Sequence, residues 1–374
     1  MRKTINVAVV GKGSMGRTHS ASIKLLDYCY KNLPFEVKLH TLVTRNPDTA
    51  KSDAESLGFE NYCLDYDEML KNPEIDVVDI CTPNNVHFEM ISKAVKAGKH
   101  ILCEKPLAVS AEEAEKIEKL TKGYDKCCGM VFNNRHLPSA IRARELVKEG
   151  RIGRLLTFRS VYLHSSGTDP DKNAGWKQNK DICGGGVLFD LGSHAIDLLH
   201  FVLGDDDGCE IEEIKSMSQI GFETRRGMDG KEWKTNADEA FYILARMKNG
   251  AVGSIEASKI AVGANDDLTL EVRGTKGALR FDLMQPNYLE FYDNTSSGVP
   301  HGGEKGFTRI ECVNRYDMDV SVFPGMRAPI GWLRGHIHSM YSYFDAVYSG
   351  NEPSPSFKDG IYVNKIMEKA YNMA

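Results

Sequence analysis

The run Ile5-Asn6-Val7-Ala8-Val9-Val10-Gly11-Lys12-Gly13-Ser14-Met15-Gly16 decides how the rest of the chain is read. Ile5–Val10 is apolar and short enough to be a buried strand, and the six residues after it have the spacing G-x-G-x-x-G. Gly11 permits a tight turn, Gly13 lets backbone approach a pyrophosphate, and Gly16 lets the next helix pack closely on the strand. Phosphates then meet the free N–H groups and the positive end of that helix. The pattern alone is weak evidence, but here a strand precedes it and a helix follows. It predicts a dinucleotide site lined by Gly11, Lys12, Gly13, Ser14, Met15 and Gly16.

Outward from this point, strand and helix alternate. Apolar runs at Val37–Val43, Val77–Cys81 and His100–Cys103 read as further strands, with helices over Arg17–Leu33, Asp48–Leu57, Val86–Ala97 and Ala111–Lys122. Asn46-Pro47 reads as an N-cap with proline at the first helical position. Gly98 reads as a left-handed cap, and Ser110 with Glu113 has capping-box spacing. Such alternation predicts an α/β class with a parallel sheet covered on both faces. At the end of the second strand an acid would bind the ribose hydroxyls of NAD, but the chain has Thr44-Arg45-Asn46. Arg45 admits the 2′-phosphate of NADP, so these residues leave NAD and NADP both open.

Beyond about Met130 the pattern changes. A helix (Pro138–Glu149), a strand (Leu155–His164) and a helix near Phe189–Leu203 precede strands at Glu210–Thr224, Glu239–Met247, Ala251–Val262, Leu268–Arg273, Ala278–Asp282 and Tyr288–Tyr292. Strands in series with turn signals such as Lys248-Asn249-Gly250 predict a large, mostly antiparallel open sheet in an α+β domain. The loop-rich stretch Asp293–Gly331 then leads to two closing helices. The expected division is residues 1–132, a Rossmann NAD(P)-binding domain, and residues 133–374, a substrate-binding and oligomerisation domain whose closing helices return to the first. Asp205–Asp207 reads as a solvated turn.

Two clusters carry the chemistry. Glu104-Lys105-Pro106 ends a predicted strand, so Lys105 is aimed where ligands of open α/β sheets bind. Asp190 and His194 are four residues apart and share a helix face, with Asp197 continuing the stripe. The glycines Gly184–Gly186 let backbone pass close to a ligand. Oxidation of an alcohol by a nicotinamide removes a hydride from carbon and a proton from oxygen. His194 has the pKa for the base, Lys105 can stabilise an alkoxide, and Asp190 can orient substrate and imidazole. A desolvated Lys105 as the base is equally open.

Composition narrows the partners. The chain has 374 residues, 41% hydrophobic and 26% charged, with 47 Lys and Arg against 52 Asp and Glu. A net charge of −5 argues against nucleic-acid and membrane-surface partners, which select a basic face. No apolar stretch is long enough to span a bilayer, and Ile5–Val10 is too short for a signal peptide. The nine cysteines form no C-x-x-C pair and no metal-ligand spacing, so a reduced, cytoplasmic protein with no metal site is expected.

These motifs together resemble the Gfo/Idh/MocA oxidoreductases (glucose–fructose oxidoreductase, inositol dehydrogenase and relatives) along nearly the whole chain. The matching residues are Val9–Gly16, Asp79-Ile80-Cys81-Thr82-Pro83-Asn84 with His87, Ala97–Pro106, Phe132-Asn133-Asn134-Arg135 and the Asp190–His194 helix. The resemblance implies a catalytic set of Lys105, Asp190 and His194. It also implies a cofactor site that includes Thr82, Pro83, Asn84, His87, Glu104 and Lys105, which Thr44 and Arg45 join from the end of the second strand. The long first helix, Gly175-Trp176, Asn249–Ala257 and the Gly274–Gly277 turn are most similar to the branch of levoglucosan and glycoside 3-dehydrogenases. That branch implies NAD as cofactor and the 3-hydroxyl of a glucoside as target. It further implies Arg135, His164, Trp176 and Lys177 near the substrate, and a homodimer, homotetramer or higher homo-oligomer through the second domain's sheet. Asn134 departs from the pattern, since many members have an aromatic residue there.

Three other readings use the same residues. An inositol-type dehydrogenase keeps the reaction and changes the ring. A redox-assisted glycosidase or C-glycoside-cleaving enzyme oxidises C3 transiently and releases aglycone without net NADH. A nucleotide or sugar sensor would have no need of the lysine or the acid–imidazole pair.

Overall fold

The computed structural model describes residues 2–204, 208–227, 230–299, 301–313, 316, 320–325 and 327–374. The Asp205–Asp207 turn lies outside them. The chain forms two compact units, one of Met1–Asn133, Asp317–Ala328 and Trp332–Asn364, the other of Asn134–Tyr316, Pro329–Gly331 and Lys365–Ala374.

The first unit is built from β1 (Lys3–Val10), α1 (Ser14–Lys24), α2 (Leu26–Cys29), β2 (Phe35–Val43), α3 (Ala50–Leu57), β3 (Asn61–Cys63), α4 (Tyr66–Leu70), β4 (Val77–Ile80), α5 (His87–Lys96), β5 (His100–Glu104), α6 (Ala111–Thr121) and β6 (Cys128–Val131). The six strands are parallel, in the order β3-β2-β1-β4-β5-β6. This is the Rossmann order, with its switch point between β1 and β4. Val7, Val9, Leu42, Val77 and Leu102 are buried in its core. The first helical stretch is not continuous to Leu33, because α1 ends at Lys24 and Leu25 separates it from α2. Nor does Asn46 cap a helix. Its Oδ1 accepts the Asp48 N–H in a local turn, and α3 begins only at Ala50. Gly98 is left-handed after α5, and Ser110 caps α6 by accepting the Glu113 N–H.

The second unit contains α7 (Pro138–Lys148), β7 (Leu155–Leu163), α8 (Lys180–Cys183), α9 (Ser193–Leu203), β8 (Ile211–Gln219), β9 (Thr224–Arg226), β10 (Glu232–Lys234), β11 (Ala240–Met247), β12 (Val252–Ser258), β13 (Asp267–Gly274), β14 (Gly277–Asp282), β15 (Tyr288–Asp293) and β16 (Phe307–Glu311). Eight of these strands make one sheet in the order β16-β15-β14-β13-β7-β12-β11-β8. Every neighbouring pair is antiparallel except β12 with β7. One face of the sheet is covered by α9, which is apolar nearly all round and fixed to β7 where Ser160 Oγ donates to the Ala195 carbonyl. The short pair β9–β10 forms a separate two-stranded arm.

Two helices close the chain, α10 (Trp332–Ser349) and α11 (Phe357–Tyr371). In the first unit, Ile337, Met340 and Phe344 of α10 join the apolar core around Ile23 and Leu26. The stretch Lys180–Leu203, which includes α8 and α9, has the length and apolar composition of a membrane span. Burial within the protein covers 83% of its most apolar window, as for a core helix.

Candidate active site

In the first unit the predicted nucleotide residues gather at the carboxyl ends of β1, β2, β4 and β5. Gly11 leaves β1 with a φ of 103°, a left-handed conformation suited to glycine. A Cβ on Gly16 would stand 2.0 Å from the Gly11 carbonyl oxygen, so turn and helix touch there. A Cβ on Gly13 would meet nothing within 4 Å. Gly13 precedes α1, and no side chain caps the helix or places an acid in its first turn. Open space beside free helix N–H groups is what a pyrophosphate needs. Lys12 turns to α3, where its Nζ meets Asp53 and Thr49. Thr44 is buried at the end of β2, and Arg45 is exposed.

Thr82, Pro83 and Asn84 follow β4. The buried His87 ring spans their loop and the end of β5, with Nδ1 2.9 Å from the Pro106 carbonyl and Nε2 3.1 Å from the Thr82 carbonyl. Burial lowers the pKa of this imidazole, and in its neutral form the one ring N–H donates to one of the two carbonyls.

Beneath the loop lies a cluster that the sequence reading did not single out. His19, on α1, places Nδ1 2.9 Å from Asp79 Oδ2 and Nε2 3.0 Å from Glu104 Oε1. Burial opposes a charge on His19, but Asp79 and Cys81 overcome it and its pKa is raised. Burial likewise opposes the Glu104 charge, yet the His19 contact prevails and brings its pKa down to about 2. The other Glu104 oxygen accepts the backbone N–H of Lys105 at 3.1 Å. Thus α1 and the end of β5 that leads into Lys105 are tied by one ion pair. His19, Asp79 and Cys81 also place ligand-type atoms within 4.8 Å of one another. A protonated His19 offers no lone pair, and burial pushes the Cys81 thiol up to about 12, away from the thiolate a metal binds.

In the second unit, Asp190 lies on a π-helical turn (Leu188–Gly192) before α9, where the sequence reading expected one regular helix. The Lys177 ammonium bonds its two oxygens at 2.9 and 3.0 Å, and Lys259 Nζ stands 3.1 Å from Oδ2. Lys259 follows β12 and carries no motif, so nothing local marks it. His194 is buried, with Nδ1 3.5 Å from the Asn134 side-chain nitrogen and its ring 5.8 Å from that of Tyr162. If the Asn134 NH₂ donates, a neutral His194 carries its proton on Nε2. The flipped amide accepts from Nδ1–H and puts the lone pair of the neutral ring on Nε2. Tyr162 and His164 both bond Asp266 Oδ1, at 2.6 and 2.9 Å. Burial works to raise the Asp266 pKa, but these two bonds lower it overall.

Two predicted residues have structural partners. Arg135 is 3% exposed and grips Asp197 with Nε at 2.8 Å and Nη2 at 2.5 Å. Asp197 therefore serves this ion pair. Of the glycines expected to approach a ligand, Gly186 is pressed on the chain itself, since a Cβ there would lie 2.0 Å from the Asp238 carbonyl oxygen. Asp238 caps this entry to the helix, accepting the N–H groups of Gly186 and Leu188 at 2.8 and 3.0 Å.

Residues 5–132 match the model of an oxidoreductase family with an NAD-binding Rossmann fold, and residues 140–280 match the GFO/IDH/MocA C-terminal domain. The chain belongs to the Gfo/Idh/MocA family. Like its family, this Gfo/Idh/MocA protein is an NAD(P)-dependent oxidoreductase. It is 31% identical over 369 residues to levoglucosan dehydrogenase of Pseudarthrobacter phenanthrenivorans, covering 96% of this chain and 94% of that protein. It is 28% identical over 259 residues to D-glucoside 3-dehydrogenase of Escherichia coli, covering 68% and 70%. The solved structure of levoglucosan dehydrogenase with NADH and levoglucosan superposes with a TM-score of 0.91 at 30% identity, covering 100% of this chain and 97% of that one.

Proposed function

We propose that this oxidoreductase removes hydride from a secondary hydroxyl carbon of a sugar, glycoside or cyclic polyol, with the 3-hydroxyl of a glucoside as target and NAD as acceptor. The observation that supports this most strongly is the whole-chain match to a levoglucosan dehydrogenase solved with NADH and levoglucosan. The chemistry of the side chains agrees with it. A neutral polyol is recognised by hydrogen bonds, and Asp190, Asn134 and His164 offer acceptors and donors for them.

When bound, the nicotinamide supplies the hydride acceptor. The chain's part is proton transfer and orientation. Either His194 or Lys105 takes the hydroxyl proton, and the other stabilises the developing alkoxide. Asp190, fixed between Lys177 and Lys259, orients the ring hydroxyls. His19, through Glu104, fixes the strand end that carries Lys105.

The outer face of the eight-stranded sheet exposes Met217, Tyr242 and Leu244 on adjacent strands, at 69%, 42% and 62%. Such a patch suits burial against another copy, so we assign a homo-oligomer through this face. The nine cysteines are thiols, the form a reducing cytoplasm would keep. A panel of glucosides, free sugars and inositols, read by nicotinamide absorbance with NAD and with NADP, tests the assignment. Reduction of NAD by glucosides supports it, and turnover of inositols alone overturns the glucoside target.

A further inference from the structure

Two of the three tryptophans, Trp176 and Trp233, line a single cleft of about 350 Å³ that also borders Asn179 and Ile182. They come from distant parts of the second unit. Trp176 lies on a short 3₁₀ turn (Trp176–Gln178), and Trp233 lies on the β9–β10 arm.

The walls are held firmly. Arg225 of β9 is buried and donates to Glu239 Oε1 from Nε at 3.0 Å and Nη2 at 2.5 Å. It also donates to the carbonyls of Asp169 and Gly167 at 2.8 and 2.6 Å. The Ala174 N–H bonds the Arg226 carbonyl at 2.7 Å, which joins the arm to the Trp176 segment. On the far side, the Lys180 N–H bonds Asn236 Oδ1 at 2.9 Å. Two indoles on anchored elements are ready for a ligand at little ordering cost.

Lys177 links Trp176 of the cleft to Asp190 of the candidate active site. Lys177 Nζ lies 5.7 Å from the centroid of the Trp176 ring and bonds Asp190 at 2.9 Å. One ammonium therefore separates an indole from the carboxylate assigned to orient the reacting ring. The volume suits one further ring, at the small end of ligand pockets. Indoles select the flat apolar face of an aryl group or the C–H face of a pyranose.

We propose that this cleft is a second-ring subsite. It takes the ring that a glycoside carries on its anomeric oxygen, while the sugar to be oxidised lies at Asp190 and His194. The subsite rests on the glucoside reading given above, and it sets the substrate class as two-ring glycosides.

The test compares kcat/KM for methyl glucoside, para-nitrophenyl glucoside and cellobiose. The proteins compared are the wild type, Trp233→Ala and Ile182→Trp, the last filling the cleft without removing either indole. A two-ring substrate should exceed methyl glucoside by roughly tenfold in the wild type, the scale of one aromatic stacking contact. Both variants should lose that margin and keep methyl glucoside within about twofold. The better of the two larger substrates identifies the ring as aryl or sugar. Equal loss on all three substrates, or no margin in the wild type, overturns the subsite. If no glucoside is oxidised, the glucoside reading fails and binding still decides the subsite. Quenching of tryptophan fluorescence by para-nitrophenyl glucoside should saturate in the wild type, with Kd about tenfold weaker in Ile182→Trp. Absence of saturation, or equal Kd values, overturns it.

Discussion

His19 Nε2 stands 3.0 Å from Glu104 Oε1, and both side chains are buried. Asp79 holds the opposite edge of the imidazole, and Glu104 passes the restraint to the Lys105 backbone. The buried pair links the helix that opens on the dinucleotide loop to the strand end that leads into Lys105. Removing one partner of a buried pair costs about 3–5 kcal/mol, because the other charge is left without compensation.

The His19 pair has a defined pH signature. The folded pKa of His19 is raised above its ordinary 6.5, so its contribution is complete below that value and fades as pH rises through the folded pKa. Glu104 is depressed from 4.5 to about 2, so its contribution is complete above 4.5 and is lost as pH falls towards 2. The stability gap between wild type and His19→Gln should be widest between those two ordinary values and shrink on either side. Urea unfolding across pH measures it, and a gap independent of pH contradicts the pair.

Two glycines of one loop should fail differently. Gly16→Ala forces a methyl against the Gly11 carbonyl and should lower the thermal midpoint by several degrees. Gly13→Ala meets nothing in the chain and should melt like wild type, yet bind NADH at least about tenfold more weakly because the methyl takes the pyrophosphate's approach. Melting curves and NADH titrations separate the two. Equal NADH affinity in Gly13→Ala and wild type would remove the pyrophosphate from this position.

Arg135 should behave as a stability residue. Its bidentate grip on Asp197 is buried, so Arg135→Ala should lose about 3–5 kcal/mol in denaturant unfolding. At a temperature where the variant stays folded, KM for the sugar should change less than about threefold. A large rise in KM without loss of stability would instead make Arg135 a substrate contact.

Asp190 should act on turnover. Asp190→Asn keeps the shape of the side chain and releases two ammonium groups, Lys177 and Lys259, from their counter-charge. The expected result is a fall of about 10²-fold in kcat/KM with NADH affinity unchanged. Unchanged kcat/KM would remove Asp190 from the catalytic set.

What could be read in the chain followed from how local the causes were. β1 and β4 are buried over most of their length, so their largely apolar runs, interrupted at Asn6 and Asp79, reveal them. β3 is three largely exposed residues and gives no such signal. Lys105, Asp190 and His194, the trio proposed as catalytic, stand out through short motifs. Lys259 and Asp266 do not, because β12 and the loop before β13 bring them to Asp190 and His164 across long stretches of chain. Spacing placed Asp190 and His194 on one helix face, while the π turn gives Asp190 a different setting, between two lysines. Trp233 sits on an arm too short to show alternation, so the cleft it shares with Trp176 needed the fold to be seen.

The most direct test of the account is glucoside oxidation by wild type, Lys105→Met and His194→Gln, with NADH titration of all three proteins. The account predicts NAD reduction by the wild type, a loss of at least about 10²-fold in both variants, and NADH binding close to wild type in each. Wild-type rates in both variants, or a wild type that binds neither NADH nor NADPH, would contradict it.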